Sequence, residues 1–412
     1  MRFLSISRLQ IGPIFRALSR HKYTALMVII QMAVTMAIVT NGVFIAAERY
    51  QHIQRHSGMD EENSFYLTSS GFTDSFNPRA SIEQDLATLR SMPGIINAVQ
   101  TNSFPLSDGG EWFNLQRNVG ENQQTVQAAQ YKFDHHGIET FDLTLIAGQN
   151  FSSEEVLWQD ESTSSWPSQV ILSKATAQAL FGDQQWQKAV GKTIYVEDAA
   201  AVIVKGVIDK LQAPWVEWEN VDNVIISPAR VNYNSARYVI LAEPGRRDAM
   251  MQDVETTLAS SNRQRLIRRM GSIESIKREI YAADIAAVSI LMITVAVLSG
   301  VSAMGIAGLA SFNINKRKRQ IGARRALGAS RGDILAYFML ENLLLTTVGV
   351  CLGSLLAVGL NLFLVNMYGI TPLAWPYVPV AILTLIIIGQ VAVFWPARKA
   401  SAISPALATK AI

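Results

Sequence analysis

Residues Tyr23–Ala47 read YTALMVIIQMAVTMAIVTNGVFIAA, an apolar run without one charged side chain. As a helix, about 25 residues rising about 1.5 Å each cover about 37 Å, more than the ~30 Å hydrocarbon core of a bilayer. Three further blocks have the same character: Ile285–Ala310, Ile334–Val365 and Pro376–Trp395. None contains Lys or Arg, and only Glu341 interrupts them. Charge-free runs of this length are rare in soluble helices, so the chain is expected to cross a membrane four times. A cleaved signal peptide fits the first block poorly. The block is too long and ends in AAERYQ, without the small-residue cleavage pattern.

Charge orients these spans. The charged fraction is 17%, below the ~25% of soluble proteins. Residues 1–47 hold Arg2, Arg8, Arg16, Arg20 and Lys22 and no acid. Residues 284–412 hold ten basic residues against Asp284, Asp333 and Glu341. The 236 residues between, 48–283, hold 21 basic and 30 acidic residues. Lys and Arg concentrate in short cytoplasmic loops. Both termini and the 311–333 loop are therefore expected in the cytoplasm, with 48–283 and the uncharged 366–375 loop outside. The expected order is a cytoplasmic segment 1–22, spans at 23–47, 284–310, 334–365 and 376–397, and a cytoplasmic tail 398–412. The single Cys351 excludes an internal disulfide and falls in the third span.

The insert is long enough for a core of its own. Glu48–Gly58 reads as a continuation of the first helix. Ile82–Met92 is amphipathic, with Ile82, Leu86 and Leu89 on one face, and stops at Pro93-Gly94 before a strand IINAVQ. QVILS reads as a strand. Lys174–Phe181 reads as a helix capped by Ser173 and stopped by Gly182. Gly191–Val196 and Ala201–Ile208 read as a β-hairpin, and Asp248–Leu258 as a helix. Arg263–Ala283 is basic and helical in pattern. The fold class is thus α+β: four membrane helices with a large mixed α/β domain between the first and second.

Catalytic constellations are missing from the sequence. There is no GxxxxGK[ST], GxSxG, HExxH or CxxC. His135-His136 is a poor metal pair, because adjacent rings diverge on a strand or a helix. Asp60-Glu61-Glu62 lacks the ligand spacing of a calcium loop and reads as a solvated turn. Trp215 and Trp218 around Glu217 read as core packing or as a partner surface. The basic 316–331 loop beside two spans points to a lipid surface and not to nucleic acid. No residue is expected to be catalytic, metal-binding or cofactor-binding. Gln31, Asn41 and Asn361 are polar groups in span middles and read as helix–helix hydrogen bonds, and Gly349 and Gly353 form a GxxxG that could bring two helices close.

Residues 311–345, SFNINKRKRQIGARRALGASRGDILAYFMLENLLL, carry the most information. A basic cluster marks a membrane exit. Small residues Gly322, Ala323, Gly328 and Ala329 surround Arg324-Arg325. Gly328 breaks a helix, and Ser330 caps the next one with Asp333 three residues on. A short helix followed by a rigid turn into a span would act as a lever; a simple basic turn is the alternative.

This segment resembles the signature of the FtsX-like permeases of the MacB type of ABC transporter. It matches at Ile321, Gly322, Arg324, Arg325, Ala326, Gly328, Ala329, Ser330, Asp333, Ile334 and Glu341, and departs at Gln320, where Glu is usual. PARKASAISPALATKA (Pro396–Ala411) resembles the family's close without its final Arg. GQNFSSEE, QVILSKATAQALFG and VGKTIYV followed by VIVKGVI resemble its outer domain in that order.

The resemblance implies four membrane helices and a periplasmic domain with a β-rich part inserted in it, near 104–207. It implies a dimer of permease protomers, homo- or heteromeric, on cytoplasmic ABC ATPase subunits that bind ATP and Mg. With no phosphate loop here, the ATPase is expected on a separate polypeptide. Gln320, Ile321, Gly322, Ala323, Arg324, Arg325, Ala326, Leu327, Gly328, Ala329 and Ser330 are the implied coupling residues. The implied activity is mechanotransmission from the ATPase to the periplasm across the bacterial inner membrane, exporting a peptide, antibiotic or toxin with an adaptor and an outer-membrane channel. A lipoprotein-releasing permease of the Lol type, a regulator of a cell-wall hydrolase, and a membrane-anchored enzyme are the alternatives.

Overall fold

The computed structural model describes residues 22–120, 125–160, 165–197 and 200–403. Arg2, Arg8, Arg16, Arg20 and Lys410 lie outside them, as does the end of the C-terminal motif. The chain divides into two compact units, one of residues 1–54 with 283–412 and one of residues 55–282.

The first unit is built on four long helices, each long and apolar enough to cross a membrane: α1 (Lys22–Ile53), α7 (Ala282–Lys316), α9 (Arg331–Tyr368) and α10 (Tyr377–Ser401). Lipid gives no hydrophobic reward for bringing such helices together, so close packing and hydrogen bonds must do so. The GxxxG supplies the first. A Cβ on Gly349 would stand 2.7 Å from Met32 Cβ, and one on Gly353 would stand 2.5 Å from Met36 Cβ and 2.8 Å from the Ala33 carbonyl. These glycines therefore let α1 and α9 touch backbone to backbone. Hydrogen bonds supply the second. The Thr35 and Ser302 hydroxyls meet at 2.6 Å, and Asn41 donates to the Ala357 carbonyl at 3.0 Å. Gln31 reaches the Val301 carbonyl at 3.5 Å.

Asn361 departs from the expected helix–helix role. Its Oδ1 accepts from the Leu373 amide at 2.8 Å, so it holds the connection between α9 and α10. Asn342 joins the polar set instead, donating to the Gly389 carbonyl at 3.0 Å with the Gln390 amide beside it. At the other ends of α1 and α7, Arg49 pairs with Asp284. Trp375 and Tyr368 at one end of the bundle and Trp395 at the other are exposed, the placement of interfacial aromatic belts.

The second unit contains two sheets. The smaller is antiparallel, in the order β12 (Arg265–Ser272), β1 (Ser64–Gly71), β11 (Ser235–Ala242), β2 (Ile95–Thr101). Helices α2 (Pro78–Ser91) and α5 (Arg247–Ser261) cover one face. Ile82, Leu86 and Leu89 of α2 and Met250, Val254 and Leu258 of α5 bury against Phe65, Leu67, Tyr238 and Ile240. This βαββαβ order is the ferredoxin-like one.

Arg263–Ala283, expected helical, is mostly the edge strand β12 followed by the short helix α6 (Ile273–Ile280). The basic pattern misleads because Arg265 points inward. It is buried, pairs with Asp85, and donates to the Leu258 carbonyl at 2.8 Å, while Asp85 also accepts from the Tyr238 hydroxyl at 2.8 Å.

Every described strand between β2 and β11 belongs to the second sheet. Its path runs β4 (Val126–Phe133), β3 (Glu111–Gln116), β8 (Thr193–Val196), β9 (Ala200–Ile208), β7 (Gln169–Ser173), β10 (Val224–Val231), and β10 pairs back to β4. The path thus closes into a small barrel, which removes open strand edges. Strands β5 (Leu145–Gly148) and β6 (Leu157–Gln159) add to it at β9 and β10. Strand β10 lies beyond residue 207 and returns to β11 through three residues, so the inserted β-rich part reaches further along the chain than 104–207. Helix α4 (Lys174–Phe181) is capped as expected, Ser173 accepting from the Thr176 amide. The turn α3 (Gly137–Thr140) follows β4.

The acidic run 60–62 is more than a solvated turn. Asp60 caps the amides of Glu62 and Asn63, and Glu61 pairs with Lys277 at 2.7 Å. Trp215 and Trp218 are half-buried and stack edge-on at 5.6 Å.

Candidate functional site

The segment after α7 folds into one short helix, α8 (Lys318–Ala326), between two breaks. The first break is Arg317, at φ −99° and ψ 9°. The second is built from local chemistry. The Ala329 amide donates to the Arg324 carbonyl at 3.1 Å and the Gly328 amide to the Arg325 carbonyl at 3.2 Å. This six-to-one and five-to-two closure needs a left-handed residue at its centre, and Gly328 supplies it at φ +98°. Arg325 Nη1 clamps the same turn through the Ala329 carbonyl at 3.1 Å. Ser330 then starts α9 with a reciprocal cap: its hydroxyl accepts from the Asp333 amide at 3.1 Å, and Asp333 accepts from the Ser330 amide at 2.9 Å.

The eleven expected coupling residues divide by burial. Ile321 and Gly322 are buried, and Ile321 belongs to one apolar cluster with Ile314, Ile334, Phe338, Ala397 and Ala400. Arg325 and Ala329 are half-buried in the turn. Gln320, Ala323, Arg324, Ala326, Leu327, Gly328 and Ser330 are exposed. Leu327 is 89% exposed at the tip, although it is a large apolar side chain. Arg324 lies over the Tyr337 ring at 4.8 Å. A cavity of about 60 Å³ separates α8 from α9, lined by Arg317, Ile321, Arg324 and Tyr337.

Two anchoring residues were not among the expected coupling set. Arg317 Nη1 donates to both Glu341 oxygens at 3.0 Å, and both side chains are less than a tenth exposed. The pair ties the α7–α8 joint to α9. The signal in the sequence was Glu341 itself, the one charge in the third apolar block. A buried carboxylate at that position needs a partner, and the last cation before α8 provides it.

Another buried charge cluster lies in the insert domain. Asp134, after β4, is wholly buried and bonds to Arg90 of α2 at 3.0 Å and to Arg230 of β10 at 2.5 Å. Burial disfavours its charge, but the two guanidiniums outweigh that and hold its pKa below the ordinary carboxylate value. His136 beside it is held below the ordinary histidine value by burial and by Arg90. The His135 and His136 rings stack at 4.2 Å, and no group of three metal-ligating side chains occurs among the described residues.

Two family models match the chain, a MacB-like periplasmic core domain over residues 24–257 and an FtsX-like permease C-terminal region over residues 292–405. The chain belongs to the MacB-type, FtsX-like permeases. Among the relatives of this permease, the macrolide export ATP-binding/permease protein MacB of Chromobacterium violaceum is 25% identical, over 76% of this chain and 48% of that protein. The MacB of Sodalis glossinidius is 36% identical over 28% of this chain and 18% of that protein. The pyoverdine export ATP-binding/permease protein PvdT of Pseudomonas syringae is 26% identical over 67% of this chain and 41% of that protein. The permease spans about half the length of the curated relatives it matches. The periplasmic region of MacB from Actinobacillus actinomycetemcomitans aligns over 56% of the permease and 97% of that structure, at 15% identity and a TM-score of 0.34.

Proposed function

We propose that the permease transmits ATP-driven motion from a cytoplasmic ABC ATPase, which holds the ATP and Mg, to its insert domain in the periplasm, and so exports a substrate outward. Two protomers form the working unit in the inner membrane, with both termini and α8 on the cytoplasmic side. The names of the relatives, macrolide export and pyoverdine export, favour a peptide, antibiotic, toxin or similar metabolite as substrate. An adaptor and an outer-membrane channel would complete the route.

The observation that carries this reading is Leu327. An apolar side chain left 89% exposed at the end of a helix anchored by Ile321 and braced by Arg317–Glu341 is shaped to enter a partner's pocket. A push on it moves the α7–α8 joint and the start of α9 together, because the capped turn gives little slack. Leu327→Asp and Arg324→Ala test this in the purified complex. We expect Leu327→Asp to weaken retention of the ATPase at least about tenfold, with the apolar anchor lost and a charge desolvated in its place. Arg324→Ala should lower ATPase coupling with the insert domain still folded. Full retention and full coupling in both variants would overturn the assignment.

A further inference from the structure

We propose that the cavity where α7 passes into α8 beside the end of α10 binds the headgroup of an anionic phospholipid. The cavity measures about 610 Å³, within the ~300–1,000 Å³ typical of small-ligand sites. Lys318, Arg319 and Lys399 line it, with Ser311 and Asn315 as neutral hydrogen-bonding groups. Ile314 and Ile403 give it an apolar wall.

Several cations of this region are held away from the cavity, and Arg331 and Arg398 are not among its lining residues. Arg317 is neutralised by Glu341, Arg324 lies over Tyr337, Arg325 holds the Ala329 carbonyl, and Lys316 rests over the Phe312 ring at 4.5 Å. By contrast, Lys318, Arg319 and Lys399 have no carboxylate within ion-pair distance among the described residues. Three unneutralised cations around one cavity define an anion site.

Depth selects the source of the anion. Trp395 is 71% exposed and sits one helical turn before Lys399, and exposed Phe312 sits one turn before Lys316. Exposed aromatics mark the headgroup level of a membrane interface, so the cations stand where lipid phosphates are. Exposed Met304 and Val391 continue apolar surface from the cavity along α7 and α10, which suits acyl chains and not a free phosphate.

Native mass spectrometry of the intact protein, released from nanodiscs of phosphatidylcholine with graded phosphatidylglycerol, tests the site. The wild type should retain phosphatidylglycerol over phosphatidylcholine. Lys318→Gln, Arg319→Gln and Lys399→Gln should each lower that retention about fivefold, and the triple variant on the order of 100-fold. Arg331→Gln with Arg398→Gln, which removes charge outside the cavity, should change it less than twofold. Equal loss in that control would reduce the effect to general surface potential and overturn the site. So would absence of lipid selectivity in the wild type, or displacement of the lipid by millimolar inorganic phosphate, which would make it a free-anion site. Loss of the ATPase from the triple variant with lipid retention unchanged would assign the cations to the partner and equally overturn the lipid site. None of these readouts depends on transport, so the lipid site and the proposed export activity fail separately.

Discussion

Removing Glu341 should destabilise the helical unit by an amount that the geometry sets. Both of its oxygens accept from Arg317 Nη1 at 3.0 Å, and neither side chain is more than a tenth exposed. Glu341→Ala leaves a guanidinium buried without its counter-ion, which costs about 3–5 kcal/mol, and Arg317→Met leaves a buried carboxylate at a similar cost. The double variant Arg317→Met with Glu341→Leu removes both charges and should fall within about 1 kcal/mol of the wild type. The pair therefore predicts a coupling energy above about 3 kcal/mol, where an exposed ion pair gives under about 1 kcal/mol. Reversible unfolding in mixed micelles, titrated with dodecyl sulfate and followed by helical circular dichroism, yields all four corners of the cycle. Single variants each losing under about 1 kcal/mol, or a double variant losing the sum of the singles, would refute the claim that this pair anchors α8.

Gly353→Val forces a Cβ to 2.5 Å from Met36 Cβ, so α1 and α9 must separate; we expect a loss of about 1–3 kcal/mol or more in the same micelle titration. In the insert domain, the depressed Asp134 pKa means that its stabilisation is whole above about pH 4, the unfolded value, and is lost as pH falls through the lower folded value. The depressed His136 pKa works higher on the scale: its stabilisation is whole above about pH 6.5 and is lost as pH falls from there to the folded value. Amide protection factors of α2 and β4 in the intact protein, the exchange rates corrected for the intrinsic pH dependence, should therefore fall in two steps on acidification. His136→Gln should remove the upper step and Asp134→Asn the lower one, the latter at a cost of about 3–5 kcal/mol at neutral pH.

The spans were legible because lipid permits few alternatives: a charge-free run of that length has nowhere else to go. Local capping was legible too, since Ser173, Ser330 with Asp333, and Gly328 act within a few residues of chain. What was not legible depends on distant partners. Strand β10 contains Pro228, which argues against a central strand, yet it is flanked by β4 and β7 because the proline falls at the end of the β4 pairing. Arg265 looks like a surface residue until Asp85, far off in the chain, is seen to neutralise it. For the site, the resemblance to the FtsX-like permeases marked the 320–330 segment, where the residues alone left a lever and a basic turn open. Only the fold shows which of its residues are anchors and which are displayed, because Ile321 and Leu327 are equivalent as letters and opposite in burial.

The pairing of β1 with β12 bears on how the insert domain takes a load. The chain enters this domain ahead of β1 and leaves it after β12, and these two strands lie antiparallel and bonded from Phe65–Ser272 to Gly71–Arg265. Lys277 fastens the same two crossings, reaching Glu61 and the Arg55 carbonyl. Both crossings sit at the Phe65–Ser272 end, so a force that slides one past the other along the strands loads this ladder in shear, where its bonds share the strain and yield together. Peeling, which breaks them one at a time, would need a force across the strands. The domain is thus stiff along one direction and comparatively weak across it, and the pull it can convey has a preferred axis written into its first and last strands.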